Sequence, residues 1–254
     1  MIKFFRQIRK QLLEEGKTGK YFKYAIGEIL LVVIGILIAL SINNWNEGKK
    51  RTSQEVKILK EIKSELEDAL IDLTSDIEDH RRNQNSSIII GDAILNKQKY
   101  HDSLNEHFLL LIDTEDWLAK RSAFESLQSL GLELITNDSL REKITTTYMF
   151  MEVMTGEETN ANKSARKLEN ILESYIVIDR QELISRSEDR WFRGRRNYPF
   201  TIVDYEALLN DEQFLHNVLL VIRDRTTQIY GNEFFRNEVE EIINDIGQEL
   251  KRLE

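Results

Sequence analysis

Between Tyr24 and Ile42 the chain reads Tyr-Ala-Ile-Gly-Glu-Ile-Leu-Leu-Val-Val-Ile-Gly-Ile-Leu-Ile-Ala-Leu-Ser-Ile, almost wholly apolar. As a helix this run rises about 28 Å at roughly 1.5 Å per residue, close to the hydrocarbon thickness of a bilayer. No other stretch of the chain has this character. The sequence therefore reads as a single-pass membrane protein with three parts: a basic amphipathic segment over 1–20, a transmembrane helix over 21–45, and one large domain over 46–254. The expected partner of the apolar helix is the membrane lipid bilayer.

The flanks orient it. Tyr21, Phe22 and Tyr24 precede the run and Trp45 follows it, and such rings favour the headgroup layer. Residues 1–23 carry seven basic and two acidic side chains, whereas only Lys49, Lys50 and Arg51 follow at similar distance. The heavier basic flank predicts a cytoplasmic N-terminus, an inner-membrane span and a periplasmic C-terminal domain. A cleaved signal peptide fits less well, because the run is long and Ser41-Ile42-Asn43-Asn44-Trp45 lacks small residues at cleavage spacing. Ile2, Phe5, Ile8, Leu12 and Leu13 fall near one face of a helix with Lys and Arg opposite, as in a helix lying on an anionic leaflet.

Glu28 interrupts the apolar run. A carboxylate there sits at the inner boundary within reach of Lys20 or Lys23, or takes part in contact between helices. Gly27, Glu28, Gly35 and Ala39 are the candidate contact residues, Gly35 and Ala39 forming a small-xxx-small pair that admits a second helix closely.

Charge divides unevenly. From Asn43 onward there are 28 basic against 41 acidic side chains, within a chain of net charge −9. So acidic a domain is not a nucleic-acid binder. The absence of cysteine excludes disulfides, thiol catalysis and iron–sulfur clusters. One proline and few glycines, with abundant Glu, Lys, Leu and Ile, favour long helices.

Periodicity supports an all-α fold, an antiparallel helical bundle after the single membrane helix. Val56, Leu59, Ile62, Leu66, Leu70, Leu73 and Ile77 recur at helical steps after an apparent capping box Thr52–Glu55, predicting a helix from Ser53 to at least Arg82, with a possible run on to Leu95. A loop follows over 96–102. A second box, Ser103–Glu106, opens a short helix to Ile112. Asp113-Thr114 opens another through Trp117, Phe124 and Leu130, stopped by Gly131. Asn137–Glu142, with a Ser139/Glu142 box, starts the next helix, through Tyr148 and Met151. Gly156–Asn162 reads as a turn or exposed helix, and helical spacing resumes from Leu168 to Ile178. Asp204 caps a short turn and Asp211 a long final helix. No stretch alternates with period two for long enough to predict a sheet.

Chemistry is sparse. His80, His101, His107 and His216 lack metal-ligand spacing and read as surface or boundary residues. There is no Glu-x-x-His pair, His-Glu-x-x-His or phosphate loop. Ser164-Ala-Arg-Lys167 and Lys17-Thr-Gly19 match motifs of penicillin-binding enzymes in the wrong order, with the membrane between them. Carboxylates are numerous and are placed on polar helix faces. No enzyme activity, cofactor or metal is expected. The main exposed candidate is the irregular stretch of Arg190, Trp191, Phe192, Arg193, Arg195, Arg196 and Tyr198. Guanidinium groups among rings suit an anionic ligand or acidic partner, or else pair with the domain's own carboxylates. Met149, Phe150, Met151 and Met154 read as core filling or an adaptable groove.

The opening Met-Ile-Lys-Phe-Phe-Arg-x-Ile-Arg, with the run from Tyr24 through Asn43-Asn-Trp-Asn46, resembles an uncharacterised family of small single-pass inner-membrane proteins of Bacteroidota. Ser122-Ala-Phe-Glu-Ser-Leu-Gln-Ser-Leu-Gly131, Leu134-Ile and Asp138-Ser-Leu-Arg are similar to a pattern in the exported domains of such proteins. The resemblance implies an inner-membrane anchor with a periplasmic helical domain, and carries no functional residues. The resulting expectation is a non-enzymatic interaction protein, working as a homo-oligomer or with another inner-membrane protein. The alternative is a periplasmic sensor that binds a small anionic ligand and acts through a membrane partner.

Overall fold

The computed structural model describes residues 18–114, 119–178 and 200–254. The basic segment 1–15, Trp117 and the arginine–aromatic stretch 190–198 lie outside the described residues. The chain is mostly helical and divides into two compact units, Met1–Val56 and Lys57–Glu254. Helix α1 is continuous over Thr18–Leu95, as the absence of proline before Pro199 allows.

In the first unit the large apolar residues from Ile26 to Ile42 are all exposed. By length and composition this helix is capable of crossing a membrane, and it is found near the N-terminus. Lys49 Nζ lies 4.1 Å from the Trp45 ring centroid. The expected capping box at Thr52 is absent, because the helix does not start there. Thr52 Oγ1 instead donates back to Gly48 O (3.2 Å), a bond made inside a continuing helix.

The second unit is built on three long helices: α1 from Lys57, α4 (Asp138–Leu172) and α6 (Glu212–Leu253). On α1 the buried positions Leu59, Ile62, Leu66, Ala69, Leu73 and Ile77 repeat at three- and four-residue steps. On α6 Phe235, Val239, Ile242, Ile246 and Leu250 do the same. These stripes bury one face of each helix, which is where most helical stability in a protein arises. Lys60 meets Glu254, Asp76 meets Asn232, Gln84 meets Thr226 and Gly91 lies beside Val218, so α6 runs back along α1. Asn137 meets Glu249, Lys143 meets Glu241 and Ser164 meets Asp224, so α6 runs back along α4 too. Gly231 faces the flexible end of the Met154 side chain, and a Cβ there would sit 2.6 Å from Met154 Cε.

Two short helices fill the space between the long ones: α2 (Leu104–Leu111) and α3 (Ser122–Leu130). Ser103 is not the cap expected of it. Its backbone is already helical, and its hydroxyl contacts His101 Nδ1 (2.8 Å). The cap of α4 is Asn137, whose side chain accepts from Leu140 N (3.2 Å), and not the Ser139/Glu142 pair. Helix α4 then continues through Gly156–Asn162 without a turn. Asp204 caps α5 (Tyr205–Leu209) and Asp211 caps α6, both as expected. One departure from an all-α reading is a two-stranded antiparallel sheet of β1 (Ile176–Ile178) and β2 (Phe200–Ile202). Strands of three residues are too short to leave a period-two signal, so the sequence did not reveal them.

Gly131 ends α3 with φ 97°, a conformation that L side chains rarely adopt, and the Glu133 carboxylate closes over it. Gly131→Ala is expected to destabilise the unit by about 1–3 kcal/mol, read as a fall in the thermal unfolding midpoint.

Acid should weaken the same unit through two carboxylates. Partial burial tends to raise Asp211, but hydrogen bonds from Phe214 N, Tyr175 Oη and Gln213 N outweigh it and hold Asp211 below its usual 3.8. Arg252 chiefly holds Glu249 below its usual 4.5, against partial burial and with help from Asn137. A depressed carboxylate adds stability above its unfolded pKa, and that stability is lost as pH falls through the folded value. The unfolding midpoint should therefore drop as pH falls below about 4.5, and less steeply in Asp211→Asn/Glu249→Gln. A thermal scan series from pH 6 to pH 3 checks this.

Candidate functional site

The most developed polar site lies where α1, α3 and α4 meet, and it was not anticipated. Glu65 is 7 % exposed, although its neighbours Ile62, Leu66 and Ala69 are core residues. Three donors converge on its carboxylate: Tyr148 Oη to Oε1 (2.6 Å), and Ser122 Oγ (2.9 Å) and Ala123 N (3.0 Å) to Oε2. The Tyr148 ring stacks on Phe124, centroids 4.4 Å apart at 8°. Burial, and then the Glu65 carboxylate, push the Tyr148 hydroxyl well above the usual tyrosine range. Tyr148 thus stays protonated and acts as a hydrogen-bond donor, not as a nucleophile.

The physical role of Glu65 follows from helix termini. The first amides of a helix have no partner within it, and α3 is preceded by Arg121, which supplies no side-chain cap. Glu65 supplies one from another helix, setting negative charge at the positive end of the α3 dipole. A shallow cleft of about 340 Å³ lies over it, edged by Ser64, Asp68, Lys120 and Ser126. Lys120 donates to Asp68 across this edge (3.0 Å).

A mirror arrangement holds α2. Arg225 on α6 is 4 % exposed and its Nη2 donates to Leu111 O and Asp113 O, both at 2.9 Å. Leu111 O is the last carbonyl of α2 and Asp113 O follows just beyond its C-cap Ile112, at the end of the helix where cations are favoured. Helices α3 and α2 are therefore each held at one end by a buried charge from a long helix.

Further polar groups lie between these clamps. Asn232 Nδ2 donates to Asp76 Oδ2 (2.9 Å) and Gln228 Nε2 to Asn232 Oδ1 (3.0 Å), with His80 Nε2 3.5 Å from the same Asp76 oxygen. His80 is 4 % exposed, so it is a core histidine and not the surface or boundary residue expected. Buried Glu55, Glu65 and Glu249 likewise correct the assignment of all carboxylates to polar faces. Among the described residues no cluster of metal-ligating side chains occurs.

At about 100° per residue, Glu28, Gly35 and Ala39 fall within about 40° on α1, while Gly27 lies about 80° from Gly35. A Cβ at Gly27 or Gly35 would meet nothing within 4 Å, and Ala39 is exposed. The arginine–aromatic stretch Arg190–Tyr198 lies outside the described residues, so no geometry attaches to it. Met151 and Met154 are core, whereas Met149 and Phe150 are exposed.

Fold and site thus define a mostly helical chain that has, among the described residues, one helix long and apolar enough to cross a membrane, and a helical unit in which α2 and α3 are held at one end by buried charges. Residues 28–148 match a family of unknown function (DUF6090). The matched segment runs from Glu28 through Glu65, Ser122 and Tyr148. No curated protein and no solved structure matches the chain.

Proposed function

We propose that this is a membrane-anchored interaction protein. Its N-terminal helix spans the inner membrane with the N-terminus cytoplasmic. Its C-terminal unit is a periplasmic antiparallel helical bundle, serving as a homo-oligomer or as an accessory subunit of an inner-membrane complex, without enzymatic activity of its own. The observation that carries the reading is the exposed apolar surface from Ile26 to Ile42. Uncovered in water, such a surface would drive aggregation, and lipid is the solvent that removes it. Trp45, 63 % exposed just beyond Ile42, suits the headgroup layer. The site described above supports a non-catalytic role, since its carboxylate caps α3 and its tyrosine donates to that carboxylate.

The test uses the absence of cysteine. Single variants Lys10→Cys and Lys57→Cys are treated in intact cells with a membrane-impermeant maleimide. Labelling of the second alone is expected. Labelling of the first alone would invert the topology, and release of the protein by alkaline carbonate would remove the anchor. Native mass spectrometry of the protein extracted in mild detergent then separates homo-oligomer from accessory subunit.

A further inference from the structure

The groove between α4 and α6 takes no part in either clamp. On α4, Phe150 and Val153 are 41 % and 57 % exposed, and on α6 Tyr230 and Phe234 are 70 % and 56 % exposed. Phe150 and Phe234 meet edge-on with centroids 6.3 Å apart, so the apolar residues of the two helices form one strip across the groove. Single exposed apolar residues are ordinary, but a connected strip with aromatic rings marks an interaction surface.

Beside Phe150 the groove continues as a pocket of about 330 Å³ floored by Phe235 and Ile242. Glu142, Glu238 and Glu241 line it, and among the described residues Lys143 is the one basic side chain that does. That lysine is already held by Glu241 (2.8 Å) and Asp245 (2.6 Å). Glu142 and Glu238 make no ion pair among the described residues. Among the described residues the surface therefore combines an apolar floor with acidic side chains that make no ion pair along its edge.

We infer that this groove docks an amphipathic helix of a partner protein. The partner's apolar stripe, at i and i+4, covers Phe150, Val153 and Phe234, and its Lys or Arg side chains meet Glu142 and Glu238. A second copy of this chain fits less well, because it would bring the same acidic edge and an acidic domain against this one. The inference deepens the interaction reading by naming a surface and the chemistry of its partner.

The experiment uses the full chain in zwitterionic nanodiscs and a fluorescein-labelled eighteen-residue Leu/Lys amphipathic helix as probe, with empty discs subtracted. Binding is expected in the micromolar range. It should weaken at least ten-fold in Phe150→Ser/Phe234→Ser and about three-fold in Glu142→Lys/Glu238→Lys, and stay unchanged in Glu78→Lys on α1. Circular dichroism verifies the fold, and the exposed single change Phe234→Gln gives the same readout if the double variant loses helicity. Equal binding of a Leu/Glu helix of the same pattern, or binding indifferent to the groove variants, would overturn the inference. So would a concentration-dependent dimer that these variants abolish, since the occupant would then be a second copy. Carbonate extraction of the same preparations reads the membrane anchor separately, so failure of the groove and failure of the anchored reading are distinguishable.

Discussion

Glu65→Ala is expected to destabilise the helical unit by about 3–4 kcal/mol, a large effect for a single substitution. The change deletes an acceptor shared by Tyr148 Oη, Ser122 Oγ and Ala123 N. Tyr148 is fully buried, so its hydroxyl loses a partner where water cannot replace it. The first turn of α3 loses the cap that Glu65 supplies from another helix at the same time. Tyr148→Phe is milder, about 1.5–3 kcal/mol, because Glu65 keeps two donors. The two changes share one interaction, so the double variant should cost less than the sum of the singles. Urea unfolding followed by circular dichroism in mild detergent measures all three. If Glu65→Ala shifted the midpoint no more than an exposed change such as Glu78→Ala, the clamp would have no energetic meaning.

Arg225→Met is the second large effect, expected at about 2–4 kcal/mol. A methionine fills much of the volume but leaves Leu111 O and Asp113 O without their buried donor. Arg225→Lys should recover only part of the loss, because the shorter side chain sets its ammonium back from the position at which Arg225 Nη2 reaches both carbonyls. The location of the damage distinguishes this clamp from general core packing. Hydrogen exchange should accelerate first in the amides of Leu104–Leu111, while those near Val239 and Ile242 on α6 remain protected. Uniform acceleration across the unit would assign Arg225 to packing alone.

Both clamps left a trace in the sequence that helical spacing alone makes easy to overlook. Glu65 stands three residues after Ile62 and four before Ala69, inside the apolar stripe of α1. On the same helix His80 and Asn83 occupy stripe positions after Ile77. On α6 Arg225, Gln228 and Asn232 occupy them between Val221 and Phe235. A charged or amide side chain at such a position announces a buried polar contact, but its partner is set by another helix. Ser122 and Tyr148 are 57 and 83 residues away from Glu65, a distance over which no local pattern extends. The apparent capping boxes at Thr52, Ser103 and Ser139 failed for a related reason. Helix α1 runs straight through Thr52, whereas α2 and α4 do begin near Ser103 and Asp138, but the Ser103 hydroxyl is engaged by His101 and Asn137 takes the capping role ahead of Ser139.

The sequence by itself determined the apolar helix, the long amphipathic helices, the caps at Asp204 and Asp211 and the stop at Gly131. Each rests on residues within a few positions of one another, where propensity, periodicity and backbone sterics act directly. Only the tertiary structure decided which carboxylates and which histidine are buried, that two short helices are held at their ends by charges from distant segments, and that Phe150 and Phe234 join into one exposed strip. Those outcomes depend on which helix faces meet, and the free energy that selects among them comes from burying whole faces together.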